Sequence, residues 1–153
     1  MSDFKPFDDK LAGLIGALSP AGRRKLAAEI AKELRRSQQQ RIKQQVAPDG
    51  TPYEARKRKP LRSKKGRIKR AMFQKLRTSR YMKASSRNYV ALVEFTGKVQ
   101  RIARVHQLGL KDRPNRHAKD VQFPKRQLIG FNQVDKDLVE ELAMEHIKSI
   151  TVA

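Results

Sequence analysis

Between residues 55 and 93 the chain carries fifteen basic side chains and no acidic one. So dense a run of one sign cannot enter a core, because charged groups are buried only when paired. It must lie at a surface and face anions. The chain as a whole has 36 Lys and Arg against 15 Asp and Glu, for a formal charge of +21. Residues outside the run therefore hold 21 basic and 15 acidic side chains, the balance of ordinary globular surface. The run is internal, and Leu61, Ile68, Met72, Phe73 and Leu76 are interleaved with its bases. That pattern predicts a basic arm with a short helix over 67–77, carrying Ile68, Met72 and Leu76 on one side. A solvated face or a mobile tail is the plainer alternative.

Composition removes several function classes. The chain has no Cys, no Trp and three His. A disulfide scaffold, a thiol enzyme and a Cys-ligated zinc site are excluded. No apolar run approaches the roughly 18–20 residues that span a bilayer. The opening Met1-Ser2-Asp3-Phe4-Lys5-Pro6 lacks the basic and then apolar order of a signal peptide. The expectation is a single soluble domain over 1–153, made inside the cell, with 51–79 as a basic excursion.

Asp8 or Asp9 can cap a helix reaching Leu18, with Leu11, Leu14, Ile15 and Leu18 on one face. Ser19-Pro20 then restarts a helix, with Ser as cap and Pro in the first turn. This second helix is predicted to run to Val46, with Leu26, Ile30, Leu34, Ile42 and Val46 along one ladder and residues 37–40 on its surface. Pro48-Asp49-Gly50 is a turn: proline fixes φ, Asp bonds back to the chain, Gly takes positive φ. Residues 51–66 form an exposed loop ordered against a partner. A hairpin is expected from 80–84 and 89–95 across a turn at 85–88, with Tyr89, Ala91, Val93 and Phe95 on one face. Val99, Ile102, Ala103 and His106 fall on one face of a further helix stopped by Gly109. Residues 111–120 read as loop, and 121–131 as one or two edge strands around Pro124. In the last helix Asp135 or Asp137 caps a stripe of Leu138, Val139, Leu142, Ala143, His146, Ile147 and Ile150. The fold class is α+β: N-terminal helices, one of them long, a small mostly antiparallel sheet, and a C-terminal amphipathic helix, with the basic arm as an internal extended excursion.

No catalytic constellation emerges, and no cofactor or metal site is expected. The sequence has neither a glycine-rich phosphate loop nor an H-E-x-x-H pair. His106 and His146 fall on apolar helix faces and read as structural, and His117 sits in a polar loop. Pro48-Asp49, Glu54 and Lys57 are similar to the Pro-Asp, Glu-x-Lys pattern with which nucleases hold a divalent cation. Here Arg56 takes the place the Lys should have, so a turn followed by a solvated loop is the preferred reading, and a metal-dependent nuclease the remotest function.

Several strings fit together in order. Ser37-Gln38-Gln39-Gln40-Arg41-Ile42 leads into Pro48-Asp49-Gly50-Thr51-Pro52-Tyr53, with a P-D-G-x-x-W/Y turn, then Arg56-Lys57 and the basic stretch to Met72-Phe73, Lys75-Leu76-Arg77. Val93-Glu94-Phe95-Thr96-Gly97, residues 102–109 and Pro124-Lys125-Arg126-Gln127-Leu128-Ile129-Gly130 follow. The set, from about Leu11 to Ile150, resembles the phage virion morphogenesis family, the tail completion proteins of contractile-tailed, Mu-like and related coliphages. Lys125 and Gln127 depart from it, standing where small or apolar residues are usual.

The resemblance implies a non-enzymatic virion protein acting in tail completion and head–tail joining, as a subunit of a ring at the neck or tail terminus. It implies copies of itself as partners, in a hexamer, together with other tail and neck proteins. The expected place is the virion tail, after assembly in the host cytoplasm, with no membrane partner. Arg56, Lys57, Arg58, Lys59, Arg62, Lys64, Lys65, Arg67, Lys69 and Arg70 are the candidate contacts to a neighbouring subunit, the tail tube or packaged DNA in the lumen. Leu61, Ile68, Phe73 and Leu76 are the candidate docking anchors of the arm. Alternatively the same apolar residues complete the subunit's own core. The rival class is a sequence-nonspecific nucleic-acid-binding protein, which the pI near 10.9 supports and the 6% aromatic content opposes.

Overall fold

A computed structural model of the protein describes residues 4–56 and 71–151, with side chains as far as Ser149. The element order is α1 (Lys5–Gly16), α2 (Pro20–Lys43), β1 (Met82–Arg87), β2 (Val90–Phe95), α3 (Gln100–Leu108), β3 (Lys111–Asp112), β4 (Val121–Gln122) and α4 (Gln133–Thr151). This is the expected α+β arrangement of helices with small antiparallel two-stranded sheets. The chain forms two compact units: Met1–Ser37 with Lys83–Glu94 and Phe131–Ala153, and Gln38–Met82 with Phe95–Gly130.

In the first unit α1 starts earlier than the expected Asp8 or Asp9 cap. Pro6 stands in its first turn, where its missing N–H is no loss, and Asp8 lies there favourably at the positive end of the helix. At the start of α2, Ser19 Oγ accepts the Gly22 N–H at 3.1 Å as predicted. Leu18, Leu26, Ile30, Val139, Leu142 and Ala143 form the buried cluster, lined by Phe7, Leu11 and Phe131. Each of the larger ones, fully buried, is worth roughly 1.5–3 kcal/mol. α4 opens on Asn132, one residue before the helix, and not on Asp135 or Asp137. Asn132 Oδ1 accepts the Asp135 N–H at 3.0 Å, and Asp135 Oδ2 accepts the Asn132 N–H at 3.2 Å. This is a reciprocal capping box. Asp135 is fully buried and also accepts the Ser37 hydroxyl at 2.5 Å. His146 Nε2 lies 2.5 Å from Glu29 Oε2, a structural pairing of α4 with α2. The hairpin turns at Asn88-Tyr89, both at positive φ (49° and 64°), and not over 85–88. Both central residues of such a tight turn must take that conformation, which Asn accepts readily and Tyr does not. On β2, Ala91, Val93 and Phe95 face inward as expected while Val90 and Leu92 are exposed.

The second unit is built around Ile42, Met72, Leu76, Met82, Phe95, Ala103, Val105 and Leu128, all buried. Among the described residues of the predicted 67–77 helix, 71–77 form turns and no helix. α2 stops at Lys43, three residues short of the predicted end, because Gln45 adopts φ 60°. Gly109 closes α3 at φ 67° and hands the Leu110 N–H to Val105 O. The buried residues of α3 are Ala103 and Val105, whereas Ile102, placed inward by its spacing, is 52% exposed. Residues 111–112, predicted as loop, pair antiparallel with 121–122 in the register Lys111 to Gln122 and Asp112 to Val121.

Candidate functional site

The described ends of the basic arm, at residues 56 and 71, are both fastened to the second unit. Arg126 holds the outgoing strand. Its side chain is 5% exposed, and its Nε donates to Glu54 O at 2.7 Å and its Nη2 to Ala55 O at 3.3 Å. A planar fork reaches two successive carbonyls, which a single ammonium cannot do. The backbone N–H of Arg126 donates to His106 O at 2.8 Å, tying this strand to α3. Tyr53 adds its hydroxyl, donated to Gln127 O at 2.8 Å. Burial, against the opposing charge of Arg41, pushes that phenol up to about 12, so it stays a donor at any physiological pH.

Gln45 holds the returning strand. Its Nε2 donates to Ile42 O and to Met72 O, both at 2.8 Å, and its Oε1 accepts the Met72 N–H at 2.8 Å. The left-handed residue that ends α2 thus aims its amide at both backbone groups of Met72. Phe73 follows, itself at φ 65°, with its ring 5.7 Å from Tyr53 and 4.9 Å from His106, both edge-on. Phe123 closes the row 5.2 Å beyond His106.

The turn before the arm is fixed in the same way. Gly50 donates to Ala47 O at 2.9 Å and takes φ 88°, and Asp49 Oδ1 accepts the Thr51 N–H at 2.9 Å. Those bonds from Thr51 hold the Asp49 carboxyl below its usual value. Asp49 is therefore spent on the turn. Glu54 is exposed, and Lys57 lies outside the described residues. Among the described residues, no group of three or more His, Asp or Glu is placed to hold a metal ion.

Two further amides complete the cluster. Gln38, expected on the helix surface, is 3% exposed, and its Oε1 accepts from Arg41 at 2.8 Å and from the Gly130 N–H at 3.2 Å. Gln107 accepts the Leu128 N–H at 2.7 Å and the Ile129 N–H at 3.0 Å, and donates to Ile129 O at 2.8 Å. Of the strings that carry the family resemblance, parts of those at 38–42, 48–53, 72–73, 106–107 and 126–130 thus meet at the roots of the arm.

The predicted contact residues fall unevenly. Arg56 is described and exposed. Lys57, Arg58, Lys59, Leu61, Arg62, Lys64, Lys65, Arg67, Ile68, Lys69 and Arg70 lie outside the described residues. Of the predicted anchors, Leu76 is buried and Phe73 is half-buried in the aromatic row, so both pack within the second unit. Sequence reasoning singled out neither Arg126 nor Gln45, Gln38 and Gln107. Buried polar residues give no hydropathy period; the amides around the end of α2 and the strings at 37–42, 102–109 and 124–130 were their signal, without a role for any one side chain.

His106 is a titrating element of this site. Its Nδ1 is buried without a hydrogen-bond partner among the described residues. Burial, then the charges of Arg126 and Arg56, lower its pKa from the ordinary 6.5. The unfolded chain therefore takes up this proton more readily than the folded one, and acid favours unfolding. The urea midpoint is expected to hold above pH 7 and to fall as pH drops through 6.5 toward the folded value. A His106→Leu variant should lose that acid branch.

Charge is segregated between the two units. The first has 12 basic and 11 acidic residues; the second has 24 and four, a net of +20. Residues 57–70 supply nine of those bases, so the remainder of the second unit still carries 15 against four.

The profile of the phage virion morphogenesis family matches residues 2–148. The chain is also similar to the tail completion protein S of Escherichia phage P2, with 47% identity over 149 residues, covering 97% of this chain and 99% of that protein. No solved structure matches it. With residues 2–148 inside the match and a relative 47% identical over nearly the whole of both chains, the chain belongs to the phage virion morphogenesis family.

Proposed function

We propose that the chain is a non-enzymatic structural subunit of the phage tail, acting in tail completion and head–tail joining. It assembles in the host cytoplasm and works as a ring of copies of itself, hexameric by family resemblance, against other tail and neck proteins. The near full-length similarity to a tail completion protein supports the role. The observation that carries the mechanism is the double fastening of the arm, at Glu54 and Ala55 by Arg126 and at Met72 by Gln45. It fixes where the segment leaves and re-enters the unit, at residues 56 and 71, and the segment between them carries nine bases. There they guide the arm onto a neighbouring subunit, the tail tube or lumenal DNA, with Leu61 and Ile68 as its anchors. A net of +20 on one unit repels the same unit of a neighbour, which disfavours contacts between like units in the ring.

Deletion of residues 57–65 tests this. The variant is expected to keep its helical circular dichroism, since the two fastenings lie outside the deletion. Phage carrying it should show separate heads and tails in micrographs. Joined, infectious particles would overturn the role of the arm. The basic second unit also supports a second reading, sequence-nonspecific binding of duplex DNA. A log–log salt slope steeper than about −5 for the wild type, from six or more phosphate contacts, would favour it.

A further inference from the structure

Val134, Asp137, Glu141, Met144 and Glu145 fall within one stripe of α4 at helical spacing, opposite the buried Val139 and Ala143, and the exposed Lys148 lies in the same stripe. All five are exposed, Val134 at 70% and Met144 at 40%. Asp137 accepts from the neutral Gln133 amide at 2.9 Å, and Glu141 and Glu145 have no ion-pair partner among the described residues. The stripe carries three acids, one base and two large apolar side chains.

α3 presents the converse. Arg101, Arg104 and Leu108 recur at i, i+3 and i+7 on its exposed face, and Ile102 is exposed on the far side of the buried Val105. Ile102 and Leu108 are each about half exposed, at 52% and 51%. Arg101 pairs with Asp112 at 2.6 Å but remains open to solvent, and Arg104 has no acidic partner among the described residues. At a rise of about 1.5 Å per residue, Asp137 to Glu145 runs roughly 12 Å and Arg101 to Leu108 roughly 10 Å. The two faces match in length and oppose in charge, and each exposes apolar surface, Val134 and Met144 on α4 and Leu108 on α3.

We propose that copies of this chain associate head to tail, the α4 face of one copy docking on the α3 face of the next. The inference rests on the ring reading above and names the surfaces that build it. Because the two faces differ, the contact is heterologous, and repeated copies close into a ring or run on as a filament. The second copy is favoured as occupant because the chain supplies both members of a complementary pair. The acidic stripe belongs to the nearly neutral first unit, so it can approach the +20 second unit of a neighbour without repulsion. A contact between two exposed helix faces is weak and screened, with a Debye length of about 10 Å at 0.1 M salt.

Sedimentation velocity of the full chain at low and high salt tests this. The wild type should form concentration-dependent oligomers at low salt that dissociate as salt rises. Glu141→Arg and Arg104→Glu, both at exposed positions, should each raise the half-assembly concentration at least tenfold with circular dichroism unchanged. Mixing the two variants should restore assembly with the two alternating, since the intact faces meet each other and the reversed faces meet with charges exchanged. A chain carrying both reversals should recover assembly. A monomeric wild type, unchanged assembly in either variant, or failure of the double reversal would overturn the proposal, including the case in which these faces meet DNA or another protein. The function itself is read separately, in particles: joined particles with assembly-defective protein would sink the ring reading while leaving the contact standing. Separate heads and tails with a monomeric wild type would do the opposite.

Discussion

Gly130→Ala is expected to destabilise the folded chain by about 3–4 kcal/mol, combining an overpacking cost of about 1–3 with weakened hydrogen bonds of about 1 each. A Cβ at this position would stand 2.4 Å from Pro48 Cγ, 2.8 Å from Pro48 Cβ and 2.9 Å from Gln127 Nε2. The proline is buried and its ring is rigid, so it cannot swing aside as a flexible side chain would. Nor can residue 130 retreat freely. Its N–H donates to Gln38 Oε1 at 3.2 Å and its carbonyl accepts from Arg41 Nη1 at 3.3 Å. Relieving the clash stretches one bond or the other. At roughly 2–4 °C per kcal/mol for a chain of this size, Tm should fall by about 10 °C. Gly97→Ala is the control, because nothing lies within 4 Å of the Cβ it would add, and it should stay within about 0.5 kcal/mol of wild type. Pro48→Ala in the Gly130→Ala background should recover part of the loss. If Gly130→Ala melts with the wild type, the close approach of the turn to residue 130 is refuted.

The elements that sequence made legible are those whose signal is periodic and apolar. Ser19-Pro20 marks the start of α2, the Leu26 and Ile30 ladder gives its buried face, and Leu138, Val139, Leu142 and Ala143 give that of α4. Alternation along β2 places Ala91, Val93 and Phe95 correctly because only one face of that strand is covered. Positions decided by polar backbone partners are another matter. Gln45 ends α2 because its amide bonds Met72, a residue 27 places away, and no local pattern encodes that. Ile102 reads as core by spacing, yet the contacts of α3 fall on Ala103 and Val105. Tyr89 looks like a strand residue and instead takes the second place of a two-residue turn. The charge was visible at once, but its division was not. Counted along the chain it marks an arm; counted by unit it marks the whole second unit, with an excess of eleven even when residues 57–70 are set aside.

Gln107→Leu should cost about 4 kcal/mol, a large share of the 5–15 kcal/mol that stabilises a typical domain. The amide makes three bonds to two consecutive residues: it accepts from Leu128 N and Ile129 N and donates to Ile129 O. Leu128 is fully buried between those bonds and cannot turn to water for a replacement. Leucine has nearly the same volume, so packing is kept while two N–H groups lose their partner and the Ile129 carbonyl keeps only the longer bond from Gln127 Nε2, at 3.3 Å. Each orphaned group carries a desolvation penalty of about 1–3 kcal/mol, which exceeds the net value of the bond itself. Gln107→Glu separates the two halves of the clamp. It keeps the acceptor for both N–H groups and removes only the donor to Ile129 O, so it should fall between wild type and Gln107→Leu in urea unfolding. Equal stability of the two variants would mean that the donor half alone matters; a Leu variant as stable as wild type would mean that the amide only decorates the strand. The consequence reaches the arm. Arg126 and Gln127, which hold Glu54, Ala55 and Tyr53, directly precede the clamped residues. Loosening Leu128 and Ile129 should therefore speed amide exchange at Ala55 and Arg56 beyond what the loss of global stability explains, because one glutamine on α3 sets the strand that sets the root of the arm.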